Sequence, residues 1–190
     1  PTWMHDGESL AYTIEDDGST MLVQAPRPGR TPLGTSDTLK VLIGGHREVS
    51  AFSSPSDSSC TVAVISTAGT PPSLHVMRAA ADGRDTSLLI DPNADRLRAK
   101  RFGDTYRLTV PRPHDPITVW VHLPPEAEFA TPRSVPVLVN IHGGPHAQYG
   151  DRFFDEFAVY SGAGYAVVFT NPHGSTGKSE AFTRSVRGDW

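Results

Sequence analysis

The run Asn140-Ile141-His142-Gly143-Gly144-Pro145-His146 closes an apolar stretch over residues 135–141. Two adjacent glycines directly after such a stretch let the backbone turn sharply and aim N–H groups into open space beyond a sheet edge. Donors placed there can hold the negative oxygen of a tetrahedral intermediate, so Gly143 and Gly144 are candidate oxyanion donors. His142 is a candidate to support the loop by hydrogen bonding rather than to titrate in a reaction. A plain glycine-rich turn from strand to helix fits the same residues and stays open at this point. Other arrangements imitate chemistry without supplying it. Gly177-Lys178-Ser179 ends like a phosphate-binding loop, but that motif needs Gly where Pro172 stands. His142 and His146 are spaced like zinc ligands on a helix, and Gly143-Gly144-Pro145 between them cannot stay helical. No recognisable motif places a base beside Ser175. The carboxylate pairs Asp16-Asp17 and Asp155-Glu156 read as a turn and an exposed helix face, and no catalysis is assigned to them.

The elements that must position the glycine loop follow from periodicity. Residues 135–141 are nearly all apolar apart from Asn140, as a strand buried on both faces would be. A helix is expected to start near Asp151, with Phe153, Phe154, Phe157 and Ala158 or Tyr160 on one face and Gly162 or Gly164 ending it. Residues 165–170 read as another buried strand and 180–187 as a short helix. Strand, helix, strand at this spacing is a parallel α/β unit. Upstream, residues 106–110 and 117–123 read as two strands joined across 111–116, and Ile117, Val119, Val121 and Leu123 share one face of the second. A loop rich in Pro and Glu spans 124–134.

Residues 1 to about 100 have a different texture, with short strands and no helical period. The strands are expected over 10–14, 20–24, 40–43, 49–52, 61–66, 74–78 and 87–90. Asp16-Asp17-Gly18, Gly44-Gly45, Ser53-Ser54-Pro55 with Ser56-Asp57, and Asp82-Gly83 supply the turns. Residues 6–14 lie over residues 57–65 as polar then apolar, and each copy continues into a second and a third apolar run. Repeats of about 40–50 residues built from short strands are the mark of propeller blades. A β-sandwich with coincidental spacing is the alternative.

Composition narrows the classes further. The 190 residues carry a net charge of −4, and the densest basic group (Arg96, Arg98, Lys100, Arg101) reads as a solvated face beside a linker, so nucleic acid is not an expected partner. No window approaches the ~18 apolar residues of a membrane span. The lone Cys60 excludes an intrachain disulfide and any cysteine metal cluster, and its apolar run suggests a buried structural thiol. Gly 17 and Pro 17, roughly a sixth of the chain together, disfavour a helical bundle.

Three blocks resemble the prolyl oligopeptidase family of serine peptidases, and its acylaminoacyl-peptidase-like branch above all. They are Val137-Leu138-Val139-Asn140-Ile141-His142-Gly143-Gly144-Pro145-His146-Ala147-Gln148, then Asn171-Pro172-His173-Gly174-Ser175-Thr176-Gly177, then Gly188-Asp189-Trp190. The resemblance implies terminal β-propeller blades, all-β, over 1–103, followed by the N-terminal part of an α/β-hydrolase catalytic domain over 104–190. It implies hydrolysis of short or N-acylated peptides through an acyl-serine intermediate, with a backbone N–H of Gly143 or Gly144 on the oxyanion and the propeller restricting access. His173 stands where the family usually has Arg, and Lys178-Ser179 where it commonly has Tyr-Gly. No G-x-S-x-G occurs, so the nucleophile and the Asp and His that follow it in the family are expected outside this chain, which alone should be inactive. An esterase or lipase shares the H-G-G loop but lacks preceding blades, and a propeller-bearing binding protein with a vestigial hydrolase part is a rival of another class. No cofactor and no metal is implied. The expected partners are a short peptide or N-acyl-peptide substrate and the remainder of a longer polypeptide. No membrane is expected as a partner, a homo-oligomer is left open, and the expected location is cytoplasmic.

Overall fold

The computed structural model describes residues 1–27, 39–57, 59–78, 86–112, 116–129 and 135–188. The turn at Asp82-Gly83, Ser58 of the repeat, parts of the two proline-bearing loops, and Asp189 and Trp190 lie outside the described residues.

The first half is two four-stranded antiparallel meanders. Strands β1 (Thr2–Trp3), β2 (Ser9–Asp16), β3 (Ser19–Pro26) and β4 (Lys40–Ile43) pair in chain order. Strands β5 (Glu48–Ser53), β6 (Cys60–Thr67), β7 (Thr70–Arg78) and β8 (Thr86–Ile90) do the same. One parallel pairing, Thr20 opposite Glu48, joins the two meanders. The internal repeat therefore superposes second strand on second strand, third on third and fourth on fourth. These are propeller blades. Their shared core is Ala11, Leu22, Leu42, Ile43, Val49, Ala63 and Ile65, all buried. Alternation accounts for it: along β6, Thr61, Ala63 and Ile65 turn inward while Val62 and Val64 stay half-buried. Cys60 is half-buried rather than enclosed, at the first position of β6 and opposite Arg78 at the end of β7.

Past a single helical turn, α1 (Ala94–Leu97), the chain builds a second sheet. It contains β9 (Thr105–Val110), β10 (Ile117–His122), β11 (Val137–Asn140) and β12 (Ala166–Thr170) in the order β11-β12-β10-β9, with β11 and β12 parallel. This is the opening of an α/β-hydrolase sheet. Helix α2 (Asp155–Gly162) crosses between β11 and β12, and α3 (Glu180–Arg184) follows. Ser179 caps α3, its Oγ accepting the Phe182 N–H at 3.1 Å. Trp120, Phe157, Val167 and Phe169 form the core under α2, with Trp120 and Phe169 stacked at 5.6 Å. Among the described residues no helix is long and apolar enough to cross a membrane.

Two expectations need correction. Helix α2 begins at Asp155 instead of near Asp151, because Asp151 is buried and held by side chains from outside its own segment. Residues 135–141 do not form a doubly buried strand. Among the described residues β11 is the outer strand of its sheet, and Val137, Val139 and Ile141 are 57%, 66% and 73% exposed. In β10 Ile117, Val119 and Val121 share one face as expected, and the opposite face of Thr118, Trp120 and His122 is the enclosed one, its polar atoms all partnered.

Candidate functional site

Because β11 and β12 run parallel with Asn140 opposite Phe169, the loops that follow them emerge at the same carboxyl edge. That edge is where open α/β sheets place their ligands. The loop 142–146 and the loop 171–177 are bonded to each other there. His142 lies 2.9 Å from Ser175 Oγ through Nε2 and 2.9 Å from the Gly143 carbonyl through Nδ1. The His146 Nδ1–H donates to the Gly174 carbonyl at 3.1 Å, and the Thr176 N–H donates to the Ala147 carbonyl at 3.0 Å.

An amide clamp fixes the far side of the glycine loop. The Asn171 side chain accepts the Tyr149 N–H at 2.7 Å and donates to the Tyr149 carbonyl at 2.8 Å. The Tyr149 hydroxyl in turn donates to Asn140 Oδ1 at 3.3 Å, and burial raises its pKa above the ordinary phenol value. Gly174 has φ +96°, and a Cβ there would meet Val186 at 2.7 Å, so only glycine fits.

Gly143 and Gly144 are exposed, and a Cβ added to Gly143 would meet nothing within 4 Å. Among the described residues neither N–H has a hydrogen-bond partner, although the surrounding loop is tied at five points. Two exposed donors on a rigid frame can accept an anionic oxygen without rearrangement.

Ser175 does have an imidazole beside it, which its sequence surroundings did not signal. It is nevertheless fully buried, and its hydroxyl donates to the Pro172 carbonyl at 2.6 Å. His142 Nδ1 faces a carbonyl and not a carboxylate. The pair links two loops instead of making a nucleophile. His173 packs against Phe182 with ring centroids 4.7 Å apart and planes tilted by 38°. Asp155 and Glu156 are exposed in the first turn of α2, where Glu156 accepts the Tyr160 hydroxyl at 2.7 Å.

Behind the loops lies a seam that sequence reasoning missed. Asp151, 4% exposed, accepts from Ser19 Oγ at 2.8 Å, Trp120 Nε1 at 2.8 Å and Arg107 Nη1 at 3.1 Å. Arg107 also reaches Asp17 at 2.7 Å and lies over the Trp120 ring. A polar cavity of about 310 Å³ borders this seam, lined by Glu15, Thr20, Glu48, His146, Gln148 and Arg152 among others, and neither Gly143 nor Gly144 reaches it.

Propeller blades thus lead into a sheet of the α/β-hydrolase kind, with a glycine loop at its carboxyl edge. No protein-family model matches the chain. It is 46% identical over 71 residues to the uncharacterized peptidase YuxL of Bacillus subtilis, covering 37% of this chain and 10% of that protein. Over 192 residues it is 28% identical to dipeptidyl-peptidase 5 of Arthroderma otae, covering 99% of this chain and 25% of that one. Its fold matches the acylaminoacyl peptidase of Pyrococcus horikoshii with a TM-score of 0.75 and 22% identity, over 94% of this chain and 26% of that one. A puromycin-hydrolyzing peptidase of Mycobacterium tuberculosis matches with a TM-score of 0.63 and 22% identity, over 98% of this chain and 28% of that one. Each of these four proteins is named a peptidase, and the whole-chain matches among them support the resemblance to the prolyl oligopeptidase family. The chain spans about a quarter of the length of the dipeptidyl-peptidases it matches.

Proposed function

We propose that this chain supplies the oxyanion side of a serine peptidase that cleaves short or N-acylated peptides through an acyl-serine intermediate. The observation that carries this reading is the pair of N–H groups at Gly143 and Gly144 that have no partner among the described residues, on a loop braced at the carboxyl edge of the sheet. As a scissile carbonyl becomes tetrahedral its oxygen gains charge, and a donor already aimed at it strengthens its bond at that moment. One such donor contributes about 2.7–4 kcal/mol to the transition state. His142 keeps the loop in place through Ser175 and takes no proton from substrate.

The dipeptidyl-peptidase match over nearly the whole chain supports peptide substrates, and the fold shared with an acylaminoacyl peptidase supports an acylated subset of them. In this reading residues 1–103 are blades that restrict access, and residues 104–190 begin the catalytic domain. The nucleophilic Ser and its Asp and His partners lie elsewhere in a longer polypeptide, since no G-x-S-x-G occurs among these 190 residues. The single cysteine is in keeping with a cytoplasmic setting.

A fluorophosphonate probe tests the assignment. The 190-residue chain should label only at background, and a polypeptide extended to a G-x-S-x-G serine should label stoichiometrically. Stoichiometric labelling of Ser175, or an extended polypeptide with that motif that neither labels nor cleaves an activated ester, would overturn the reading.

A further inference from the structure

The β2–β3 hairpin turns on two residues, Asp17 and Gly18, with φ +43° and +90°. Both values suit a two-residue turn of the I′ type, and among the described residues Asp17 is the non-glycine residue with positive φ. The tip of such a hairpin ordinarily gives its free backbone groups to water. Here all four are bonded to residues of the α/β sheet and its loops. The Asp17 N–H donates to the Gly177 carbonyl, and the Asp17 carbonyl accepts from Arg107 Nη2 at 3.0 Å. The Gly18 N–H donates to Gln148 Oε1 at 3.0 Å, and the Gly18 carbonyl accepts the Asp151 N–H at 2.8 Å.

Gln148 lies three residues past Pro145 in the glycine loop, and Gly177 ends the neighbouring loop. The tip is thus wedged against both. The Asp17 carboxylate is what holds it at that depth. Its Oδ2 accepts from Arg107 at 2.7 Å and Thr118 Oγ1 at 2.7 Å, and its Oδ1 faces Lys178 Nζ at 3.7 Å. Lys178 follows Gly177 directly, so one carboxylate is bound to the sheet through Arg107 and Thr118 and to the second loop through Lys178. Close approach leaves no slack: a Cβ on Gly177 would meet Gln148 Oε1 at 2.1 Å and the Asp17 nitrogen at 3.3 Å.

We propose that Asp17, at the tip of a first-blade hairpin, is a positioning residue for the Gly143-Gly144 loop and acts through Gln148 and Gly177. The role in reaction rests on the peptidase reading above, whereas the positioning itself is measurable without it. The blade then does more than screen substrate by size. It sets the frame in which the donor loop is held.

Amide hydrogen exchange on the 190-residue chain tests the positioning, read at Tyr149 and Thr176, whose N–H groups tie the two loops together. Asp17→Ala should speed exchange at both by at least about tenfold, the loss expected for a hydrogen-bonded charged group. Asp17→Asn, which keeps the turn and the acceptor, should give a smaller rise, and Asp16→Ala, at an exposed neighbour, none. Amides of the β6–β7 ladder should stay unchanged. If Asp17→Ala does not fold, Lys178→Met carries the test, with faster exchange expected at Thr176. Unchanged exchange at Tyr149 and Thr176, an equal response to Asp16→Ala, or a uniform rise that includes β6–β7 would overturn the proposal. In a polypeptide extended to its nucleophile, Asp17→Ala should lower kcat at least about tenfold and leave KM within about twofold, the split expected when a transition-state donor is displaced. A wild-type extended polypeptide without hydrolysis would sink the peptidase reading while the exchange result still decided the role of Asp17.

Discussion

Replacing Asp151 with alanine is expected to break the seam between the blades and the α/β sheet. The carboxylate is 4% exposed and accepts from Ser19, Trp120 and Arg107, with His46 Nδ1 a further contact at 3.2 Å. Removing it leaves the Trp120 N–H without its acceptor under α2, and Arg107 with Asp17 as its remaining carboxylate partner. Deleting one member of a buried charged network costs about 3–5 kcal/mol. At the entropy of unfolding of a chain this size, that is a fall in Tm of roughly 6–20 °C. Asp151→Asn keeps an oxygen acceptor for Trp120 and loses the charge facing Arg107, so it should cost less, about 1–2 kcal/mol. Urea titration followed by tryptophan fluorescence, with a thermal melt in near-ultraviolet circular dichroism, measures both. A loss below about 1 kcal/mol for Asp151→Ala would show the seam to be solvated, and equal losses for the two variants would show that the charge contributes nothing.

Gly150→Ala should destabilise by about 3 kcal/mol, the upper range of overpacking, because its Cβ would lie 1.7 Å from the Gly18 carbonyl oxygen. Gly69→Ala, with nothing within 4 Å, should stay within about 0.5 kcal/mol in the same denaturation assay. His122 is buried between Thr105 and Ser161, and burial lowers its pKa while Asp104 opposes the shift more weakly. Its contribution to stability should be constant above the unfolded value near pH 6.5 and decline as the pH falls below it, by at most about 1.4 kcal/mol per unit, until the folded imidazole also protonates. His122→Gln should remove that slope from stability curves measured between pH 7 and 5.

Strands were legible wherever alternation met turn chemistry. Cys60–Thr67 alternates and is bounded by Ser-Asp and Ala-Gly clusters, and the repeat matched it to Ser9–Asp16 across the blades. The helix start was not legible, since an aspartate ahead of a Phe-rich run reads as a first-turn acid. Asp151 instead answers donors 44 and 132 residues away, and no local pattern encodes such partners. In β10, Ile117, Val119 and Val121 were legible as one face, but the opposite face, with Trp120 and His122, is the enclosed one because Asp151, Thr105 and Ser161 satisfy its polar atoms. The glycine loop was visible as a motif. Its bracing by Ser175 and Asn171 was not, because those contacts close over 33 and 22 residues.

The most direct test of the oxyanion assignment is a crystal structure of the extended polypeptide after phosphonylation of its nucleophilic serine. The phosphonyl oxygen should lie about 2.7–3.1 Å from the backbone nitrogen of Gly143 or Gly144. An oxygen turned away from residues 142–146, with both glycine N–H groups bonded to protein carbonyls, would contradict it.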